Sequence, residues 1–383
     1  MTPPKGDIAA LNGLLDTSIT LLKQLETALS NISKITAAVA AEGAEKAVGS
    51  LVAASQAAQV IKGSTSKLSL LIISEPFTPS AITKVTQELV NIGVPILAGS
   101  AQSLDNAQYT TAIRRDLANK CERVLRNLRQ LLEMVPRDGK VLPVAKRKGV
   151  QGAGSFTITG SLWAACDEIT RLAEIGAKGR LIERTEELRD TLKDQMEELK
   201  EWGEEEDDDG ADDGDDDNDA SETQQAESLD AVTNGLSATH LDTQAMVDDL
   251  MNGAGHIPKE DPDQLRPRLA WCLRILKQAA ILYSAIIKYR LRTLPAFDEP
   301  RPVVSQVDDL MKALKKLPNR VGDLAAAFYD LSPEDVDRIR DQAFQDIFAV
   351  TALVLDPWEG ERDTFSDWIL KLQKDLRAKP EAA

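Results

Sequence analysis

Imidazoles are the scarcest catalytic groups in this chain: there are two, His240 and His256, and both fall in one acidic stretch. A thiol nucleophile needs a base within hydrogen-bond reach, and Cys121, Cys166 and Cys272 have no histidine in their own segments. Each cysteine sits instead in an apolar helical pattern, where free thiols are most often buried. Three widely spaced cysteines make no disulfide frame, so a reducing compartment, cytoplasmic and nuclear, is expected. Gly152 and Gly154 in GVQGAGSFTITG begin like a nucleotide loop, but Thr157 stands where a third glycine is required and no GK[ST] occurs. In EEEDDDGADDGDDDND, Glu205, Asp207 and Asp209 precede Gly210 at calcium-loop spacing, but Asp216 takes the place of the closing glutamate and the flank is polar. These residues therefore read as connector, and no catalytic, cofactor or metal residue is assigned. An enzyme working through carboxylates or a metal is the minor alternative.

Binding is the chemistry left. The 383 residues carry 45 Lys and Arg against 62 Asp and Glu, and 19 of those acids lie in residues 201–258, which hold no base. The acidity thus belongs to one segment, and a chain of formal charge -17 is not built to neutralise phosphates or to sit on an anionic membrane. Between Arg114 and Lys148 the balance reverses, with 11 bases against four acids. Arg123, Arg126 and Arg129 recur every three residues there, and Lys146, Arg147 and Lys148 follow in a loop, a patch suited to an acidic partner motif or to the chain's own acidic stretch. A second candidate lies within the acidic stretch, where Leu241, Met246, Val247 and Leu250 alternate with aspartates and can fold against another surface. The partners expected are other proteins, with no nucleic acid and no membrane.

These candidates must be carried by helices. From Asp7 to about Ala41 apolar residues hold a seven-residue register through Leu11, Leu25 and Ile32, through Leu14, Leu21 and Ala28, and through Leu15, Leu22 and Leu29. An Ala-rich helix is expected over about 45–74. The next is expected over 79–103, with Thr78 as its cap, Pro79 in its first turn, and a bend at Gly93 and Pro95. A fourth spans about 107–135 and a fifth 159–202, loosened near Gly176 and Gly179. After Pro262 the period resumes over 264–294, over 303–317 and 319–331 separated by Pro318, over a helix capped by Ser332 and ending near Leu355, and over 364–378. Leu181, Leu188, Leu192 and Leu199 form an inward seam, and Trp163 and Trp368 are expected to anchor cores. No segment alternates with period two, so the fold class is all-α: long-helix up-down bundles. Residues 1–202 are read as a five-helix bundle, 203–262 as a disordered acidic linker, and 263–383 as a C-terminal bundle. The starting sequence MTPPKGDIAALNG is unlike a secretory signal, and no apolar run approaches the roughly 20 residues that cross a bilayer.

The order of segments resembles the cyclin-D-interacting (GCIP) proteins. The resemblance rests on STSKLSLLIISEPFTPS, on TGSLWAACDEI, on the acidic mid-chain stretch, on GDLAAAFYDLSPED and on WEGERDTFSDWILKL. It implies bundles like those of vinculin and α-catenin. It also implies a non-enzymatic role in cell-cycle or transcriptional control through cyclin D and helix-loop-helix regulators. The zipper described for the family has its counterpart in the seam from Leu181 to Leu199. The runner-up is a vinculin-like cytoskeletal or adhesion adaptor.

Overall fold

The computed structural model describes residues 5–34, 50–104, 108–148, 154–204, 257–295 and 302–377. All the regular structure in them is helical. The helices are α1 (Lys5–Lys34), α2 (Ser50–Leu71), α3 (Pro79–Glu88), α4 (Val94–Gln102), α5 (Thr111–Glu133), α6 (Val144–Lys148), α7 (Ser155–Glu204), α8 (Leu265–Ile286), α9 (Val303–Tyr329), α10 (Pro333–Leu353) and α11 (Thr364–Arg377). They fall into two compact units. One comprises residues 1–185, 287–312 and 357–361, the other 186–286, 313–356 and 362–383. The chain passes from one unit to the other within α7, at the end of α8 and within α9, and again on either side of residues 357–361.

In the first unit the buried stripe of α1 is Leu11, Leu15, Ser18, Ile19, Leu22 and Leu29. Of the three heptad positions, this selects the one at Leu15, Leu22 and Leu29 as the centre of the interface, with Leu14, Leu21 and Leu25 at its edges. Paired side chains fix the helix directions. Arg129 meets Glu26 and Arg137 meets Asp16, so α1 and α5 are antiparallel. Lys62 meets Asp167 and Ser69 meets Thr159, so α2 and α7 are antiparallel too. Lys120 with Glu168 and Arg180 with Asp116 set α5 against α7 in the same sense. The result is an up-down bundle of α1, α2, the α3–α4 rod, α5 and the first part of α7.

Local chemistry explains where these helices begin, bend and end. A π-helical turn, Leu89–Gly93, joins α3 to α4 and absorbs the missing amide of Pro95, which gives the expected bend its form. Thr78 occupies the N-cap position of α3, but its hydroxyl donates to the Pro76 carbonyl rather than accepting from the helix. Thr110, by contrast, caps α5 by accepting from the Ile113 amide at 3.3 Å. The run 136–155 is not all loop, because the short α6 forms in it. Within α7 the chain kinks at Gly176, whose φ of 68° lies in the left-handed region that a side chain disfavours.

In the second unit, Trp202 at the end of α7 lies 6.1 Å from Phe328 and 5.3 Å from Tyr329 on α9, ring centre to ring centre. Arg268 of α8 clamps Asp337 of α10, and Arg340 of α10 lies over the Trp271 ring. Arg320 of α9 meets Asp346 and Gln342 of α10. Gln373 of α11 donates to Thr351 and Arg377 lies over the Phe348 ring, which together set α11 antiparallel to α10. The expectation of two helices separated by Pro318 is overturned: α9 runs unbroken through it. Proline at 318 leaves the Leu314 carbonyl without its helical donor, and the buried Tyr283 hydroxyl fills that role at 2.6 Å. Ser332 precedes Pro333 as expected, but its hydroxyl bonds the Asp335 carboxylate and makes no backbone cap.

The stretch Leu265–Leu291 is long and apolar enough to cross a membrane, which the sequence reading had not found. Half of its most apolar window is buried inside the protein, the pattern of a core helix. Leu181, Leu188, Leu192 and Leu199 are all buried, as an inward seam requires. Trp368 is half-buried and stacks on Phe365 at 5.6 Å.

Candidate protein-binding site

The basic stretch of α5 is turned toward the protein's own carboxylates. Arg123 pairs with Glu168, and Lys120 joins the same carboxylate at 3.3 Å. Arg126 pairs with Glu122 one turn back. Arg129 binds Glu26 of α1 through Nε at 2.8 Å and Glu133 through a terminal nitrogen at 2.9 Å. Each of the three arginines that spacing singled out thus has an intramolecular partner, with Arg129 largely buried and Arg123 and Arg126 about half exposed. Of the other three bases, Arg147 donates to the Leu142 carbonyl at 2.8 Å, while Lys146 and Lys148 are exposed on α6. Leu241, Met246, Val247 and Leu250 lie outside the described residues, as do both histidines.

Burial raises the pKa of Glu168, but Arg123 and Lys120 outweigh it and hold the carboxyl below its usual range. A carboxylate depressed in the folded state contributes stability above its unfolded pKa, and loses that contribution as pH falls through its folded pKa. Because Glu168 is 39% exposed, screening limits the effect to roughly 0.5 kcal/mol. Glu168→Gln should therefore be slightly less stable than the parent at pH 7, and the difference should narrow as the pH falls through the carboxyl's lowered pKa, as urea titrations across the acid range would register.

None of the three thiols is placed to react. Cys121, Cys166 and Cys272 are all buried, and burial raises each pKa, to about 12 for Cys166 and Cys272. Such thiols stay protonated at neutral pH. Among the described residues no three His, Cys, Asp or Glu side chains converge as metal ligands. Gly154 is pressed against the backbone of Arg147 and Lys148, where a Cβ would come within 2.3 Å of a carbonyl carbon. That explains a glycine there by close packing rather than by a phosphate.

The feature that stands out is apolar and exposed. Seven of the eleven large hydrophobic side chains exposed among the described residues lie on α2 or the two rods beside it. Val52, Val60 and Leu70 are on α2, with Leu70 62% exposed. Ile92 and Ile96 are in the π turn and α4 on one flank, and Phe156 and Trp163 are on α7 on the other. The Ser69–Thr159 hydroxyl bond at 2.8 Å and the Lys62–Asp167 pair fix the register, so Phe156 and Trp163 sit level with the C-terminal half of α2. Gly160 between them has open space over its Cα, and the stripe Phe156, Gly160, Trp163 is continuous to solvent. An exposed apolar cluster rimmed by charged groups such as the Lys67–Glu88 pair is the usual signature of a protein-binding face.

This corrects the expectation for Trp163, which is 37% exposed rather than a core anchor. Leu162, Ala165, Cys166, Ile169 and Leu172 carry the inward stripe of α7, and Trp163 lies about 100° round the helix from Leu162. Phe156 was missed altogether. Its signal was present in the sequence, because it stands seven residues before Trp163 and outside the inward stripe.

Comparison with known proteins adds one positive finding. Residues 53–205, which hold all of this face except Val52, match the family described as Grap2 and cyclin-D-interacting, N-terminal. No curated protein and no solved structure matches the chain.

Proposed function

We propose, from the match of residues 53–205 to the Grap2 and cyclin-D-interacting N-terminal family, that the chain is a non-enzymatic regulator that binds cyclin-type or helix-loop-helix proteins in the cytoplasm and nucleus. The observation that carries this reading is the exposed apolar face on α2 and its flanks. An amphipathic helix of the partner lays its apolar side along α2 between Ile92 and Ile96 on one side and Phe156 and Trp163 on the other. Aromatic side chains at such a face supply most of the binding energy, so Trp163 and Phe156 are the expected anchors.

Calorimetric titration of the purified chain with a D-type cyclin and with a helix-loop-helix protein tests this. Trp163→Ala should weaken whichever complex forms by about tenfold while the chain keeps the helical circular-dichroism spectrum of the parent. Exchanging Lys146 and Lys148 for Ala should leave affinity within twofold. Binding that survives Phe156→Ala with Trp163→Ala would show that this face is not the site. Capture of actin or junction proteins in place of cell-cycle regulators would favour an adhesion adaptor.

A further inference from the structure

A groove of about 700 Å³ runs between the last turns of α7 and the first turns of α8. Met196, Leu269 and Leu273 give it an apolar floor, and its lining carries five bases against two acids. We propose that residues 241–252 of this chain, LDTQAMVDDLMN, occupy this groove. The site is separate from the face on α2, and the inference does not rest on the proposed function.

Three observations favour the chain's own segment as the occupant. The first is where the chain enters and leaves. Arg266 donates to the carbonyls of Ile257 at 2.9 Å and Gly203 at 3.5 Å, so both ends of the acidic stretch emerge at one mouth of the groove. The second is length. Arg266 to Lys277 spans about 17 Å of helix, and a twelve-residue helical segment is about 18 Å long at 1.5 Å per residue. The third is complementarity. Met246, Val247, Leu250 and Met251 share one helical stripe, and Asp242, Asp248 and Asp249 accompany them with no base, opposite a rim that includes Lys193 and Lys277. Charge alone would also draw an acidic helix from another protein. The tether decides: a segment ending five residues from Ile257 is held at an effective concentration on the order of millimolar, so even modest affinity keeps the groove filled.

The test uses the full chain with a cysteine introduced at the exposed groove residue Ala270 and a second in the segment. The native thiols are buried and do not compete. With a short bismaleimide, Thr243→Cys, on the apolar stripe, should cross-link to Ala270→Cys within one chain at least fivefold faster than Ala245→Cys on the opposite side. Adding Lys193→Glu with Lys277→Glu, or Met246→Asp with Leu250→Asp, should abolish that preference. Equal rates for the two positions would mean that tethering alone brings the segment near, and would overturn the proposal. A cross-linked dimer would place a second copy in the groove and would overturn it as well.

Discussion

Arg129→Glu should lower the stability of the first unit by about 3 kcal/mol, a fall in Tm of roughly 10 °C. The guanidinium is 19% exposed and its main partner Glu26 only 14%, so the pair is largely withdrawn from water. The hydrogen bond to Glu26 is the leading cause of its raised pKa, working against desolvation and helped by Glu133. Reversal removes the tie between α1 and α5 and sets three carboxylates together in a partly dry site. Arg129→Met, which removes the charge without adding another, should cost about 2 kcal/mol. Lys146→Glu and Lys148→Glu, on the exposed face of α6, should stay within about 0.5 kcal/mol of the parent. Thermal melts of the four variants separate a structural arginine from a partner-binding one. If Arg129→Glu kept the parental Tm and lost only its partner, the assignment of this residue to the fold would fail.

Tyr283→Phe should cost about 2 kcal/mol, although it removes one oxygen atom. The hydroxyl is fully buried, burial pushes its pKa upward so that it stays a donor, and its acceptor is the Leu314 carbonyl that Pro318 leaves unserved. Without it that carbonyl is stranded in the core. In a Pro318→Ala background the amide at position 318 can donate to the Leu314 carbonyl, and the same tyrosine substitution should then cost less than about 1 kcal/mol. A double-mutant cycle by urea denaturation measures the difference. Equal costs in both backgrounds would show that the bond does not compensate for the proline.

Pro318 also marks the limit of what periodicity can reveal. The apolar spacing on both sides of it continues in phase, through Leu310, Leu314 and Leu317 to Val321 and Leu324, all buried. A reading that weighs proline as a breaker divides this helix; only the donor from another helix shows why it need not be divided. The caps at Thr78 and Ser332 were legible as positions but not as bonds, because both hydroxyls had a competing acceptor close by. The long helices, the inward leucines and the buried thiols followed directly from pattern, since burial on one face is what a 3.6-residue period encodes.

The site was less legible than the fold for a related reason. Arg123, Arg126 and Arg129 look available when only α5 is in view, and the acids that engage two of them, Glu26 and Glu168, stand 103 and 45 residues away. Charge counted along a chain says nothing about pairing across it. The face on α2 failed to announce itself because exposed valines and a leucine in an Ala-rich helix look like core. Their outward direction is fixed by which side the flanking rods cover, and that is a property of packing.

The Arg266 clasp has a consequence for how the chain can vary. By closing the acidic stretch at its base, it makes residues 204 and 257 neighbours whatever lies between them. For the clasp, an insertion into the stretch acts through loop-closure entropy, and doubling the loop's length costs roughly 0.6 kcal/mol. Here the spacer can be lengthened, shortened or recomposed while the helical frame on either side keeps its register.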